Sequence, residues 1–179
     1  MKASITIMGA GGHGKVVSDT IKSLKKYMVF GFVDKQLPMG TKVIGDAKVI
    51  FSQKVFETIA GRLDFLVDTI CNIEKRGKIL KKHVNLFKQA IIFHGLSAIG
   101  SSIEIIKSTI VLAQTTINVL CKIIKDFILD LGLIIDLECN LGNQVYHIFG
   151  TIITNNNEIG DLNISSSDQI IKPTNDINH

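Results

Sequence analysis

The chain of 179 residues is 46% hydrophobic, a length and composition that allow one ordinary domain or two small ones with a sizeable core. No stretch approaches the about 18 consecutive apolar residues of a membrane span, and the short apolar start does not resemble a signal peptide, so we expect a cytoplasmic protein without a membrane partner. The net charge of +4 is unevenly distributed, because residues 1–94 hold 16 Lys and Arg against 7 Asp and Glu. This excess suits either an anionic ligand or a solvated lysine-rich surface. The chain has no interleaving of aromatic and basic residues that would indicate nucleic-acid binding.

The N-terminal half alternates predicted strands and helices, which favours a small α/β, Rossmann-like domain with helices packed on a short parallel sheet. We expect this domain to span residues 1–94. In chain order, the pattern predicts a strand at 4–8, a helix with Val16, Val17, Thr20, Ile21 and Leu24 on one face, a strand at 28–33, a turn at 38–40, a helix at 48–60, a strand at 64–67, a helix at 73–86 and a strand at 90–93.

A glycine-rich loop joins the first predicted strand to the first predicted helix. Gly9, Gly11 and Gly14 satisfy the pattern G-x-G-x-x-G, in which glycines allow close backbone approach and the helix N-terminus offers N–H groups to a phosphate. Asp34 follows twenty residues after Gly14, at the end of the second strand, where a carboxylate can accept a hydrogen bond from a ribose hydroxyl. The loop therefore predicts nucleotide binding, and His13 is either a solvated loop residue or a contact to the phosphate or the ring.

From residue 99 onward, the chain repeats with a period of six residues. Ten of the eleven residues at this spacing are Ile, Leu or Val, and the fourth place after each prefers small or β-branched residues. This period is typical of a solenoid with three flat faces per coil. We therefore predict a left-handed parallel β-helix at 95–168 and a C-terminal tail at 169–179. The predicted inward positions are Ile99, Ile105, Val111, Ile117, Ile123, Leu129, Ile135, Leu141, His147, Ile153 and Ile159.

Apolar residues also occupy places of the repeat where other residue types are expected. Phe127 and Leu133 fall at positions meant for small side chains. Exposed apolar patches of the resulting size are rare on monomers, so we expect neighbouring subunits to cover part of this surface. The aliphatic residues at corner positions that usually carry Gly, Asn or Asp are Ile106, Leu112, Ile124 and Ile148.

Metal or thiol chemistry has little support in the sequence. The three cysteines, Cys71, Cys121 and Cys139, show neither a CxxC pattern nor another metal-binding spacing. We therefore predict reduced thiols and no metal site.

Five segments together resemble a known family. They are Gly9–Gly14 (GAGGHG), Asp34, Ile70–Arg76 (ICNIEKR), His94–Gly100 (HGLSAIG) and Asp136–Gly142 (DLECNLG). Their order along nearly the whole chain resembles the bacterial sugar-nucleotide acetyltransferases of the sialic-acid O-acetyltransferase type, which include N-acetyltransferases of UDP-linked amino sugars. These are hexapeptide-repeat transferases.

The resemblance implies a homotrimer that transfers an acetyl group from acetyl-CoA to a nucleotide-linked sugar in surface glycan or polysaccharide synthesis. It implies that the N-terminal domain holds the sugar nucleotide and that acetyl-CoA lies along the β-helix between subunits. A histidine base, supported by a neighbouring glutamate, would deprotonate the attacking amine or hydroxyl without a covalent enzyme intermediate. The implied substrate-binding residues are Gly11, Gly12, His13, Gly14, Asp34 (near the uridine), Asn72 and Arg76.

The sequence departs from the family pattern at the position of the base. The family has His-Glu-Cys or His-Asp-Cys, whereas this chain reads Leu137-Glu138-Cys139. A second family histidine would fall at Tyr146, but the chain has His147, at an inward position. Either the strand slips by one residue and His147 points outward, which we favour, or His147 is buried in the coil. A buried histidine tends to be neutral, because desolvation disfavours its charged form. Glu138 and His147 are the candidate catalytic residues, and Tyr146 and His147 are the candidate acetyl-CoA contacts.

Three functions are therefore compared. The first is an acetyl-CoA-dependent acetyltransferase acting on a nucleotide-linked sugar. The second is a catalytically impaired, trimeric nucleotide-sugar-binding relative, because leucine at position 137 cannot accept a proton. The third is a dinucleotide oxidoreductase, which the pattern G-x-G-x-x-G alone would indicate. It conflicts with the rest of the chain, which is predicted to be a solenoid without an evident proton donor for a nicotinamide.

Overall fold

A computed structural model describes residues 2–52, 55–56, 64–83 and 88–173. The chain forms two compact units, Met1–His94 and Gly95–His179. No helix in these described residues is both long and apolar enough to cross a membrane.

The first unit is an α/β domain built on a six-stranded sheet. All neighbouring strands pair in parallel except for an antiparallel hairpin at one edge. The sheet order is β3-β4-β2-β1-β5-β6. The elements are β1 (Ala3–Met8), α1 (Gly12–Ser23), β2 (Tyr27–Asp34), β3 (Lys42–Ile44), β4 (Ala47–Ser52), β5 (Phe65–Asp68), α2 (Ile73–His83) and β6 (Lys88–Gln89); the strand β7 (Ile92–Phe93) follows outside this sheet.

The central strands of this sheet are buried because their side chains are apolar at nearly every position. Ile5 and Ile7 of β1 are fully buried, as are Val17 and Ile21 of α1. A second cluster contains Met8, Val33, Phe56 and Leu66, with Phe51, Ile70 and Ile79 packed against it. The predicted strands at 4–8, 28–33 and 64–67 and the turn at 38–40 are confirmed within a residue or two.

The predicted helix at 48–60 is wrong over its first part. Residues 47–52 form β4, which pairs in parallel with β2 and antiparallel with β3. The segment Lys48–Ser52 (KVIFS) has β-branched and aromatic residues that suit a pleated surface, and pairing with β2 overrides the helical periodicity. Residues 53–54 and 57–60 lie outside the described residues, as do residues 84–86 of the helix predicted at 73–86.

The second unit is a left-handed parallel β-helix, which confirms the predicted fold class. Each strand pairs in parallel with the strand 18 residues further along, for example Ile110 with Ile128. One face contains β10 (Ile110–Val111), β13 (Ile128–Leu129) and β16 (Tyr146–His147). The second contains β8 (Ala98–Ile99), β11 (Thr116–Ile117), β14 (Ile134–Ile135), β17 (Ile152–Ile153) and β19 (Ile170–Ile171), and the third β9 (Glu104–Lys107), β12 (Lys122–Lys125), β15 (Asn140–Asn143) and β18 (Glu158–Ile159).

Burial follows the predicted six-residue period. The inward positions from Val111 to Leu141 are at most 1% exposed, whereas Ile99 in the first coil is 38% exposed. The predicted crowding at Phe127 and Leu133 is accommodated, because both side chains are fully buried. The second face continues beyond the limit of 168 expected from the sequence, since Ile170–Ile171 pairs with Ile152–Ile153.

The corners of the β-helix repeat a left-handed backbone conformation that could not be predicted from the sequence. From Ser102 to Asp168, every sixth residue has a positive φ between 54° and 70°. Glycine occupies only two of these twelve corners, at Gly132 and Gly150. The left-handed region costs a residue with a side chain roughly 1–2 kcal/mol, so most corners carry local strain that strand pairing must offset.

Relief of this strain at one corner should stabilise the protein. Leu120 has φ of 60° and is 54% exposed, so its side chain contributes little to the core. Asparagine tolerates the left-handed region better, and we expect Leu120→Asn to raise the free energy of unfolding by about 0.5–1 kcal/mol in urea denaturation. The control is Leu131→Asn, because Leu131 is similarly exposed but is not among the positive-φ corners. An equal gain in both variants would contradict this explanation.

Candidate functional site

The glycine loop at the carboxyl end of β1 contains two kinds of glycine. Gly9 has φ of 98°, and its N–H donates to the Val33 carbonyl at 2.9 Å. A Cβ at Gly14 would overlap the Gly9 carbonyl oxygen, so Gly14 lets α1 pack against the loop. In contrast, a Cβ at Gly11 or Gly12 would meet nothing within 4 Å. Gly11 and Gly12 therefore border open space that a ligand can enter.

The start of α1 offers N–H groups to that space. Gly11 is the N-cap, makes no side-chain capping hydrogen bond, and no acidic residue lies in the first turn. The N–H groups and the positive end of the helix dipole attract an anion such as a phosphate. His13 lies in this first turn and is half-buried.

Asp34, at the end of β2, connects two loops. Its Oδ2 accepts from the Ala10 N–H at 2.9 Å, and its Oδ1 accepts from the N–H groups of Gln36 and Leu37 at 2.8 and 3.1 Å. Partial burial of the carboxyl raises its pKa, but these three donors outweigh burial and hold the pKa of Asp34 below its ordinary value. Asp34 thus holds the glycine loop in place, a role the sequence did not indicate.

This geometry predicts the pH dependence of stability. Because the folded pKa of Asp34 is lowered, its contribution is present above the unfolded value of about 3.9 and is lost as pH falls through the folded pKa. We expect Asp34→Asn to lower the free energy of unfolding at neutral pH by about 1–2 kcal/mol. The difference from the wild type should shrink below about pH 4. Urea denaturation across pH tests this, and a constant difference would contradict it.

A cleft of about 510 Å³ lies at the carboxyl ends of β1 and β2. Its floor includes Gly9 and Asp34, and three lysines line it: Lys35 after β2, and Lys75 and Lys78 on α2. Ligands of parallel α/β sheets bind at this end of the strands. The lysines make the cleft attractive to an anion, in keeping with the basic character of residues 1–94.

The two residues of α2 that the resemblance implied have different environments. Asn72 is exposed and caps the helix, since its Oδ1 accepts from the Lys75 N–H at 2.9 Å. Arg76 is only 2% exposed, and its side chain is inside the domain. Neither residue lines the cleft as Lys75 and Lys78 do.

Leu137, where the resemblance implied a histidine, lies at a corner between the second and third faces of the β-helix. Leu137 is half-buried, its N–H donates to Asp136 Oδ1 at 2.8 Å, and its carbonyl accepts from the Asn156 N–H at 3.0 Å. Glu138 is exposed with φ of 58°, and its N–H donates to the Val119 carbonyl at 3.2 Å. The corner is therefore well fixed and carries a carboxylate.

The other two candidates lie on the first face, in β16. Tyr146 is half-buried, with its hydroxyl 3.4 Å from Asp130 Oδ2. His147 pairs with Leu129, so β16 keeps the register of the coil before it, and the proposed one-residue slip is wrong. The orientation of the His147 side chain lies outside what the structure describes. Strand β15 lies between Glu138 and His147 along the coil.

The cysteines beside this corner have structural roles. Burial raises the pKa of the Cys139 thiol to about 11, and the pKa of Cys121 is also raised by burial. Their thiols donate to the carbonyls of Thr154 and Asp136 at 3.2 and 3.0 Å. Both thiols are protonated at neutral pH and are not poised as nucleophiles. Within the described residues, no group of three or more His, Cys, Asp or Glu side chains is arranged to hold a metal ion.

Residues 4–83 match the family model of the PglD N-terminal domain. Several solved structures share the fold over both units. One is a histidine-to-alanine variant of GDP-perosamine N-acetyltransferase from Caulobacter crescentus with CoA and GDP-perosamine, at 18% identity, covering 96% of this chain and 91% of that chain with a TM-score of 0.77. The chain is therefore similar in fold to this acetyltransferase over nearly its whole length, and its N-terminal part is similar to the PglD N-terminal domain.

Two further solved structures share this fold. The acetyltransferase domain of PglB from Neisseria gonorrhoeae, in complex with acetyl coenzyme A, has 18% identity, coverage of 96% and 94%, and a TM-score of 0.68. WeeI from Acinetobacter baumannii has 16% identity, coverage of 95% and 94%, and a TM-score of 0.65. No curated protein sequence matches the chain. At these identities the structural likeness establishes the fold.

Four residues of the PglD-type domain were missed by the sequence reasoning. Lys35, Lys75 and Lys78 line the cleft, and the only signal for them was the excess of basic residues in this half. Thr69 is 4% exposed, and its hydroxyl donates to the Met8 carbonyl at 2.8 Å, beside the glycine loop. Nothing in the local sequence distinguishes Thr69, because its role arises from β5 lying next to β1.

Proposed function

We propose that this protein is an acetyl-CoA-dependent acetyltransferase that acts on a nucleotide-linked amino sugar in surface glycan or polysaccharide synthesis. The observation that carries the proposal is the lysine-lined cleft whose floor includes Gly9 of the glycine loop, in a chain that matches the PglD N-terminal domain over residues 4–83 and continues as a β-helix. Gly11 and Gly12 border open space but are not among the residues that line the cleft. A glycine loop that borders open space, a helix N-terminus without a side-chain cap and three lysines together suit the phosphates of a sugar nucleotide.

Roles in the N-terminal unit follow from this arrangement. The N–H groups of Gly12, His13 and Gly14 bind phosphate next to the open edge at Gly11, and Lys75 and Lys78 add positive charge. Asp34 lies near the nucleoside and also orders the loop. Asn72 and Arg76 act through α2, by capping it and by packing inside the domain. These assignments extend to this chain the sugar-nucleotide binding named for the Caulobacter protein.

In the β-helix, acetyl-CoA would lie between neighbouring subunits of a homotrimer, with Tyr146 and His147 among its contacts. The acetyl coenzyme A named for the PglB domain supports the co-substrate. Exposed apolar side chains on the outside of the coils support an interface, notably Leu131 and Phe149 at corners and Ile134 on the second face. Glu138 follows β14 of the second face and His147 lies in β16 of the first face, so we propose that adjacent subunits bring these two residues together.

The proposed reaction is a direct acyl transfer. The sugar amine attacks the thioester carbonyl, the carbon–sulfur bond breaks, CoA leaves as the thiol, and the amine loses a proton. Glu138 provides negative charge beside the reacting amine, whereas Leu137 cannot accept the proton. An amine that is already neutral depends least on the missing base, so N-acetylation is favoured over O-acetylation.

The test is the release of CoA from acetyl-CoA in the presence of UDP-, GDP- and CMP-linked amino sugars. Turnover that depends on one sugar nucleotide is the expected result, with the acetylated sugar identified by mass spectrometry. Release of CoA at the same rate with and without every sugar nucleotide would contradict the proposal.

The cleft lysines should control nucleotide affinity. We expect Lys75→Gln/Lys78→Gln to weaken binding of UDP or GDP about tenfold, because two charges close to the phosphates are removed. Lys81→Gln is the control, since Lys81 lies exposed on the same helix but does not line the cleft. Isothermal titration calorimetry measures the affinity. Unchanged affinity in the double variant would show that the phosphates do not occupy this cleft.

A second candidate is a trimeric nucleotide-sugar-binding protein without useful turnover. The observation that favours it is the corner at Leu137, where the two adjacent residues, Asp136 and the exposed Glu138, carry carboxylates and neither is a histidine. The Caulobacter variant has alanine in place of one histidine and is nevertheless in complex with CoA and GDP-perosamine, so that protein binds both ligands without this histidine. Nucleotide binding without acetyl transfer would distinguish this candidate from the first.

A further inference from the structure

The hairpin at the edge of the N-terminal sheet carries an unfavourable arrangement of charge. Lys42 of β3 lies directly opposite Lys48 of β4, and both are exposed. Like charges in directly opposed positions of an antiparallel pair destabilise it. In the part of the chain that the structure describes, neither lysine has an ion-pair partner. The Lys22 ammonium lies close to the hairpin turn, 3.3 Å from the position of a Cβ on Gly45, and adds a third cation.

Large apolar side chains are exposed on the strand beside this hairpin. β2 pairs with β4, and its residues Met28 and Phe30 are 51% and 48% exposed. Lys25 and Lys26 precede them, and Lys26 Nζ is 5.1 Å from the centre of the Tyr27 ring. Exposed apolar residues flanked by lysines mark an interaction surface more specifically than either feature alone. We call Lys25, Lys26, Met28, Phe30, Lys42 and Lys48 the hairpin-edge patch.

The patch is separate from the nucleotide cleft. Met28 is near the amino end of β2, whereas the cleft includes Asp34 at its carboxyl end. Six residues of extended strand span about 20 Å. A partner at the patch therefore does not compete directly with a ligand in the cleft.

We propose that the hairpin-edge patch binds the surface of a membrane that contains anionic phospholipids. Lysines near such a surface are attracted to it, and the patch and Lys22 supply five of them. The nearby acids are Asp46 in the hairpin turn and Asp64, whose carboxylate accepts from Ser4, the residue that pairs with Met28. Met28 and Phe30 can enter the boundary between headgroups and acyl chains, which gives the patch a second, apolar contribution. This attachment is peripheral, so it revises the expectation of no membrane partner, which rested on the lack of a membrane-spanning segment.

The same charges would also attract nucleic acid, but the apolar residues favour lipid. Binding of single-stranded nucleic acid typically places bases on aromatic rings within a basic groove. Of the two exposed apolar residues here, Met28 offers no ring, and Phe30 already contacts Phe51, with ring centres 6.4 Å apart. Aliphatic and aromatic residues ringed by lysines are instead typical of a membrane-surface contact.

The test is co-sedimentation of the full chain with vesicles of phosphatidylcholine alone or mixed with phosphatidylglycerol. We expect binding only to the mixed vesicles, with loss of binding at high salt because exposed charges are screened. Lys42→Glu/Lys48→Glu should weaken binding at least tenfold. Met28→Ser/Phe30→Ser should weaken it several-fold while its salt dependence remains.

The control is Lys81→Glu/Lys172→Glu, which makes the same change in net charge at exposed lysines outside the patch. Circular dichroism checks folding, and Lys42→Gln/Lys48→Gln replaces the glutamate variant if that variant unfolds. Failure of the wild type to bind mixed vesicles would overturn the proposal. Equal losses in the control and patch variants would do so as well, as would displacement from vesicles by a single-stranded RNA that binds more tightly.

Discussion

Replacing Leu137 by histidine is expected to raise the rate of acetyl transfer by about 10²–10⁴-fold, the usual contribution of a positioned general base. The imidazole would stand beside Glu138, whose carboxylate favours the protonated imidazolium that forms when the base accepts a proton. The effect should appear mainly in kcat, since the base acts in the transition state and not in substrate binding.

The backbone at this corner can accept the change without rearrangement. The Leu137 N–H is held by Asp136 Oδ1 at 2.8 Å and its carbonyl by the Asn156 N–H at 3.0 Å, and neither contact uses the side chain. The Leu137 side chain is only half-buried, so an imidazole there can reach solvent or substrate. A loss of stability is therefore not the expected outcome.

Val119→His is the matched control. Val119 occupies the same corner one coil earlier, and its N–H donates to Asn118 Oδ1 at 2.9 Å, as that of Leu137 does to Asp136. CoA release with the best sugar nucleotide should rise for Leu137→His and stay at the wild-type level for Val119→His. Equal rates for Leu137→His and the wild type would mean that the base is elsewhere or is not needed, and His147 would become the next target.

Gly14→Ala is expected to lower the free energy of unfolding by about 3 kcal/mol, at the upper end of what overpacking usually costs. The added Cβ would overlap the Gly9 carbonyl oxygen and also lie 3.1 Å from Thr69 Oγ1. A backbone oxygen cannot rotate away as the end of a flexible side chain can, so α1 would have to move from the loop. Urea denaturation of the two proteins gives the difference.

Gly12→Ala separates folding from binding. Gly12 is the first residue of α1, and a Cβ there meets nothing within 4 Å, so stability should stay within about 0.5 kcal/mol of the wild type. The added methyl group would nevertheless project into the space assigned to the phosphate, and UDP or GDP affinity should fall. A stable Gly14→Ala protein would contradict the packing role of Gly14. Unchanged affinity in Gly12→Ala would contradict the position of the phosphate.

Much of the architecture could be predicted because its causes are local and repeated. The hexad of inward aliphatic residues, such as Ile117, Ile123 and Leu129, determines which side chains of each coil are buried. Each coil repeats the same burial, so one irregular hexad does not obscure the period. The strand–glycine–helix order around Gly9 and Gly14 likewise predicts a nucleotide-type loop, because close packing at Gly14 excludes any side chain.

Other features were decided only by the tertiary structure, because they depend on which segments of the chain become neighbours. Residues 48–52 form a strand because β2 and β3 lie beside them, and Arg76 is buried although its neighbours Lys75 and Lys78 line the cleft. Asp34 orders the glycine loop through the Ala10 N–H, a contact between residues 24 positions apart. By itself, the sequence determined the period, the glycine loop and the absence of histidine at position 137. Long-range pairing decided strand partners, burial and the lining of the cleft, because those depend on free energies shared between distant segments and not on local pattern.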